Sequence, residues 1–201
     1  GFGNVGRTAA EGMYEEGIRI VGLSDTSGAI FREAGLDVPE IVEHKLAGKP
    51  LAEYRAAGVQ HIGREALLCT PCTVLATCAV GETVTADNAR GIQAQLVLEC
   101  GNAQVTPGAD AVLEEREITV IPDLVATPGG VIVDYFERVQ NVQSLMWDEY
   151  EVNRMMKNLI LKTFDRVWEG ALEYGVSLRL AAFVLALDKV CVAKKIRGIF
   201  P

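Results

Sequence analysis

A chain of 201 residues, 49% of them hydrophobic, is long enough for one large domain with a buried core. Its formal charge of −8 argues against nucleic acid or an anionic membrane surface as a partner, since neither is attracted to an acidic protein. The longest wholly apolar run, Leu180 to Leu187, is far too short to cross a bilayer, and no secretory or transit signal is visible, so the cytoplasm is the expected location.

The chain opens on Gly1-Phe2-Gly3-Asn4-Val5-Gly6, a G-x-G-x-x-G pattern with a helical segment directly behind it. In a dinucleotide-binding turn of this kind Gly1 makes the tight turn and Gly3 lets the backbone approach a pyrophosphate. Gly6 lets the new helix pack closely on its sheet. The free N–H groups and positive dipole end of that helix would face the phosphates. Glycine-rich turns are common, so the pattern needs context. From Asn4 to Glu16 the residues Val5, Ala9, Ala10, Met13 and Tyr14 recur at helical spacing, and Gly17 ends the run. Ile18 to Ser24 then reads as a short buried strand. Asp25 closes it nineteen residues after Gly6, near the spacing of the acid that binds the ribose hydroxyls of NAD. An Asp at a strand end is also a common turn former. Such a fingerprint normally follows a strand, so the chain is expected to be part of a longer polypeptide that supplies a central first strand before Gly1.

Asp25-Thr26-Ser27-Gly28 is a turn, and Pro39 opens a short helix through Leu46. Gly48 to Gly63 shows little periodicity and reads as an excursion. Thr73 to Ala76 is the next strand, and Thr85 caps a short helix over Ala86 to Ile92. Gln95 to Glu99 is a strand ended by the Gly101-Asn102 turn, and Thr106-Pro107 starts a helix to about Arg116. Ile118 to Ile121 is the last strand. Strands and helices alternating in this way predict an α/β fold, a Rossmann-like doubly wound parallel sheet lacking its first strand. Its ligands would lie beyond the carboxyl ends of the strands, which carry Asp25, Thr77 to Ala79, Asn102 and Thr127.

Sheet and crossover helices are expected over residues 1–125, and a C-terminal helical part over 127–201. Asp148 and Glu151 form a capping-box pair. Behind them Val152, Met155, Met156, Leu159, Ile160, Phe164, Val167, Trp168, Ala171 and Leu172 form one stripe, read as a core face. Ser177 caps a last helix that is apolar nearly all round over Leu180 to Leu187 and is therefore expected to be deeply buried. The five cysteines are Cys69, Cys72, Cys78, Cys100 and Cys191. The odd count does not suggest a disulfide framework. Cys69 and Cys72 have redox or zinc spacing, but no second pair or close histidine completes a metal site. The pair reads as two small loop or buried residues, with a thiol-redox protein as a third functional reading.

Several motifs in order across nearly the whole length identify a resemblance. They are Gly1 to Gly6, Ser24-Asp25-Thr26-Ser27-Gly28-Ala29-Ile30, Gly129-Gly130-Val131, Tyr135-Phe136-Glu137 with Val139-Gln140-Asn141, and Leu178-Arg179 through Arg197-Gly198. The chain resembles the cofactor-binding domain of the glutamate, leucine, phenylalanine and valine dehydrogenase family, and within it the glutamate dehydrogenases. The resemblance implies reversible oxidative deamination of an amino acid to a 2-oxo acid and ammonia, with NAD (or NADP) taking the hydride. It implies an N-terminal substrate domain that carries the catalytic lysine and aspartate and lies outside this sequence. None of the seven lysines here stands in the family's glycine-rich lysine motif. It also implies a homo-oligomer, a hexamer, assembled through that N-terminal region.

Carried over residue by residue, the resemblance assigns cofactor contacts to Gly1, Phe2, Gly3, Asn4, Val5, Gly6, Asp25 and Thr26. Asn102, in Glu99-Cys100-Gly101-Asn102, takes the place of the family's Glu-Gly-Ala-Asn near the nicotinamide. Thr77-Cys78-Ala79 replaces a Pro-Ala-Ala turn, and Thr127 stands where Asn usually precedes the paired glycines. Asp134 stands where many members have the serine that contacts the substrate carboxylate. An active amino acid dehydrogenase is the leading reading. The departures at Thr77, Thr127 and Asp134 support a non-catalytic or regulatory homologue as the alternative.

Overall fold

The tetrapeptide Asp25-Thr26-Ser27-Gly28 is a hairpin turn, and it shapes the first half of the computed structural model, which describes residues 1–198. Strands β1 (Gly22–Asp25) and β2 (Gly28–Phe31) pair antiparallel from Gly22 with Phe31 to Asp25 with Gly28, leaving Thr26 and Ser27 as a two-residue loop. Strand β3 (Gln60–Ile62) adds to β2, also antiparallel, within the stretch expected to be an irregular excursion. The single parallel sheet is thus realised only in part. The described residues form two three-stranded sheets, the first ordered β1-β2-β3 and the second β4 (Val74–Thr77), β5 (Leu96–Glu99) and β6 (Thr119–Ile121). The reason is local: a two-residue turn returns the chain antiparallel, whereas a parallel neighbour needs a crossover of about a dozen residues or more.

The second sheet keeps the expected pattern. Strands β4 (Val74–Thr77) and β5 (Leu96–Glu99) run parallel, in register from Val74 with Leu96 to Thr77 with Glu99. Between them lies α4 (Ala86–Ala89), opened by a capping box of Thr85 and Asn88, and α5 (Pro107–Glu115) leads on to β6 (Thr119–Ile121). Thr106 caps α5 by accepting the Ala109 N–H at 3.2 Å, with Pro107 in the first turn where its missing donor costs nothing. Helix α1 (Asn4–Glu15) follows the opening glycines. Asp37 caps α2 (Val38–Leu46), and α3 (Arg64–Leu68) precedes β4. One core gathers Phe2, Ala10, Leu23, Ile30, Ile41, Leu51 and their neighbours, and Val84, Ile92, Val97 and Leu113 are fully buried around β4 and β5.

The elements up to α5 form one compact unit, Gly1 to Thr119, and the second unit runs from Val120 onward, taking in most of β6. It contains α6 (Asp123–Ala126), α7 (Gly129–Gln143), α8 (Glu149–Tyr174) and α9 (Leu178–Arg197). The capping box of Asp148 and Glu151 opens α8 as expected. Its core is narrow: Val125, Val167, Ala171, Leu178, Ala181 and Ala182, with Phe164 and Leu185 packed against it. The expectation for α9 is overturned, since Leu180, Phe183, Val184 and Leu187 are between 40% and 60% exposed. A helix resting on one main neighbour buries a single stripe, and the small residues Ala181 and Ala182 form that stripe against α8. Likewise Val167 and Ala171 of the α8 stripe are buried while Leu159, Trp168 and Leu172 are exposed. Among the described residues no helix is long and apolar enough to cross a membrane.

Candidate functional site

The three glycines of the opening turn have different surroundings. A Cβ on Gly1 would lie 2.7 Å from Ala79 backbone atoms and from the Cys78 carbonyl oxygen. One on Gly6 would lie 1.9 Å from the Gly1 carbonyl oxygen and 3.2 Å from the Cys78 Cβ. Around Gly3 there is nothing within 4 Å. The first and third glycines therefore close the turn on β4, and the second leaves space over the head of α1. Gly3 is the helix N-cap and offers no capping side chain, and the first turn contains no acidic residue to occupy the N–H groups. Gly3, Asn4 and Val5 are exposed. Phe2, assigned to the cofactor by resemblance, is instead 4% exposed in the core, and its N–H bonds the Ser24 carbonyl at 2.5 Å. That bond fixes the turn beside the end of β1.

Asp25 stands where spacing places it, and its carboxylate is fully engaged. Oδ1 accepts the Ser27 N–H at 2.8 Å and the Ser27 hydroxyl; Oδ2 accepts from Lys45 Nζ at 2.5 Å and from the Leu51 N–H at 3.2 Å. Burial is the largest single influence on this carboxyl and pushes its pKa up. The hydrogen bonds from Lys45, Ser27 and Leu51 together outweigh burial and hold it at about 2. The fold brings Lys45 from α2 to Asp25, a pairing that nothing in the sequence spacing marked. Four donors fill the acceptor capacity of one carboxylate, so the exposed groups at this corner are those of Thr26 and Ser27.

The strand ends of the second sheet complete the site. Thr77 is 2% exposed and its hydroxyl donates to the Leu98 carbonyl at 3.4 Å, so that hydroxyl serves the sheet. Cys78 and Ala79 are half-buried under the glycine turn, and Asn102 is exposed in the loop after β5. Two residues that the sequence reading passed over organise these loops. Glu99 is fully buried and accepts the Val105 N–H at 2.7 Å. Gln104, also fully buried, accepts from the Thr83 hydroxyl at 2.8 Å and donates to the carbonyls of Gly81 at 2.8 Å and Asn102 at 3.3 Å. An acid closing the apolar run Leu96-Val97-Leu98 was a usable signal for Glu99. Nothing local marks Gln104, because two of its three partners, Thr83 and Gly81, lie more than twenty residues upstream.

The two remaining residues assigned by resemblance, Thr127 and Asp134, sit in the second unit. Thr127 ends α6, its hydroxyl donating to the Asp123 carbonyl at 2.8 Å, and Asp134 is exposed on α7. Cys69 ends α3, while burial raises the pKa of Cys72, the reverse of an activated dithiol. All five cysteines are free thiols, and no group of three or more potential metal ligands occurs among the described residues.

The chain is 38% identical over 202 residues to a glutamate dehydrogenase of Thermotoga maritima, covering 100% of this chain and 48% of that protein. It is 34% identical over 198 residues to the catabolic NAD-specific glutamate dehydrogenase RocG of Bacillus subtilis, covering 98% and 46%. Among solved structures, the hetero-hexameric glutamate dehydrogenase from Thermus thermophilus in its Leu-bound form matches with a TM-score of 0.89 and 30% identity, over 100% of this chain and 47% of that one. The chain spans about half the length of the relatives it matches. The sequence profile described as Glutamate/Leucine/Phenylalanine/Valine dehydrogenase matches residues 1–198, and the chain belongs to that family.

Proposed function

We propose that this chain is the cofactor-binding part of an amino acid dehydrogenase that interconverts glutamate and its 2-oxo acid, with NAD as the preferred cofactor. The observation that carries the reading is the division of labour among the glycines. Gly1 and Gly6 admit no side chain, while Gly3 leaves open space above uncapped N–H groups at the head of α1. That shape suits a pyrophosphate. The nicotinamide supplies the hydride chemistry when bound. This chain's residues hold and orient the cofactor: the N–H groups of α1 bind phosphate oxygens, the Thr26–Ser27 loop meets the adenosine ribose, and Cys78, Ala79 and Asn102 border the nicotinamide half. Asp25 acts by fixing that loop.

NAD is favoured over NADP because the corner carries a carboxylate whose charge one lysine already balances, leaving little attraction for a 2′-phosphate. The NAD specificity in the name of the Bacillus relative points the same way. The whole protein is proposed to act in the cytoplasm as a homo-oligomer, with its catalytic lysine and aspartate in a separate substrate domain. The test is formation of NADH or NADPH from glutamate by the full-length protein. Faster turnover with NAD is expected, and equal or faster turnover with NADP would overturn the preference.

A further inference from the structure

β4 and β5 run parallel and in register through Thr77 and Glu99, so Cys78 and Cys100 occupy the next matched positions. The ladder persists there, since the Cys100 N–H bonds the Thr77 carbonyl at 2.8 Å. Side chains alternate along a strand. Thr77 and Glu99 are buried on one face, which puts both cysteines on the other, beneath the glycine turn. The two thiols are half-buried side by side at the paired strand ends. Neighbouring strands lie about 4.8 Å apart, inside the roughly 4.4–6.8 Å Cα separation that a disulfide spans.

We propose that Cys78 and Cys100 form a reversible disulfide under low-molecular-weight disulfide oxidants, and that closing it weakens dinucleotide binding at the adjoining turn. The second half rests on the functional reading given above; the first does not. Cys78 is the attacking group: the hydrogen bond from Cys100, its largest influence, holds the Cys78 pKa below the ordinary thiol range and raises that of Cys100. The Cys78 thiolate attacks one sulfur of the oxidant, forming a mixed disulfide and releasing one thiol. Cys100 then loses its proton to solvent and attacks the Cys78 sulfur, releasing the second thiol. Two protein thiols are oxidised and one small disulfide is reduced to two thiols.

The effect on the turn follows from the absence of slack. Gly1 already rests against the Cys78 carbonyl and the Ala79 backbone, and Gly6 against the Cys78 Cβ. Drawing the two sulfurs together to the roughly 2 Å of a disulfide bond moves the strand end that supports both glycines. Bound cofactor opposes that movement, so by linkage it protects the pair.

The test uses the full-length protein incubated with oxidised glutathione, with and without NADH. Non-reducing peptide mapping should find the peptides of Cys78 and Cys100 joined, with slower joining at saturating NADH. NADH fluorescence titration should show affinity at least tenfold weaker after oxidation, restored by dithiothreitol. In Cys100→Ala, Cys78 should stop at the glutathione mixed disulfide. A map dominated by a Cys69–Cys72 link, by dimers through the exposed Cys191, or by unmodified thiols would overturn the proposal. A Cys78–Cys100 link with unchanged NADH affinity would overturn the gating role. Failure of the reduced protein to bind NADH would sink the functional reading, while the map would still decide the disulfide.

Discussion

At Gly6 a single methyl group decides whether the turn closes, because it would stand 1.9 Å from a backbone oxygen that cannot swing away. Gly6→Ala is therefore expected to lower stability by about 3 kcal/mol, the upper end for overpacking; a thermal melt within a degree of wild type would contradict the contact. Asp25 gives a pH-dependent test. Its folded pKa of about 2 lies below the value of 3.8 for an unperturbed aspartate, so its contribution is present above about pH 4 and is lost as the pH falls toward 2. Asp25→Asn loses charge-assisted bonds from Lys45 and Leu51 and should cost about 2 kcal/mol at pH 7. In urea unfolding the gap between variant and wild type should narrow below about pH 4, and a gap independent of pH would assign the loss to something other than the carboxylate charge. The sequence marked Asp25 as a strand end, and Asp25 does close β1. It could not show the carboxylate's four donors, because Lys45 and Leu51 reach it only through the packing of α2 and the turn behind it.

Elements with a local cause were legible in the sequence, and those with a distant cause were not. The caps of α5, α8 and α9 are written in Thr106, Asp148 and Ser177, each of which accepts a backbone N–H three residues on. β4 and β5 were readable as β-branched and leucine-rich runs. The pairing of β2 and β3 was not, because short three- and four-residue strands show no clear period, and the turn at Asp25 fits a strand end and a hairpin equally well. The face of α9 failed for a related reason: apolar composition says that a helix is suited to burial, not what covers it. The loops after β4 and β5 depend on one residue, Gln104. Gln104→Leu strands the Thr83 hydroxyl and the Gly81 and Asn102 carbonyls and should cost about 2–3 kcal/mol. Chemical denaturation would check this, and a loss under about 0.5 kcal/mol would mean that water replaces the side chain without penalty.

On the scale of the molecule, the chain spans about half the length of the relatives it matches. Asp134, on α7, is proposed to meet the substrate carboxylate. Like charge there would slow glutamate turnover, so Asp134→Ser in the full-length protein should raise kcat/KM for glutamate at least tenfold. A serine variant no better than its parent would remove Asp134 from the substrate's surroundings. The dinucleotide site itself is tested most directly at Gly3, the one glycine of the turn with open space around it. A methyl group there meets nothing in the protein but enters the space assigned to the pyrophosphate. NADH titration of the full-length wild type and Gly3→Ala, alongside their melting curves, isolates that effect. Saturable binding by the wild type, at least tenfold weaker binding by the variant and matched melting temperatures are expected. Equal NADH affinity in the two proteins, or no binding by a folded wild type, would contradict the assignment of this turn to a dinucleotide.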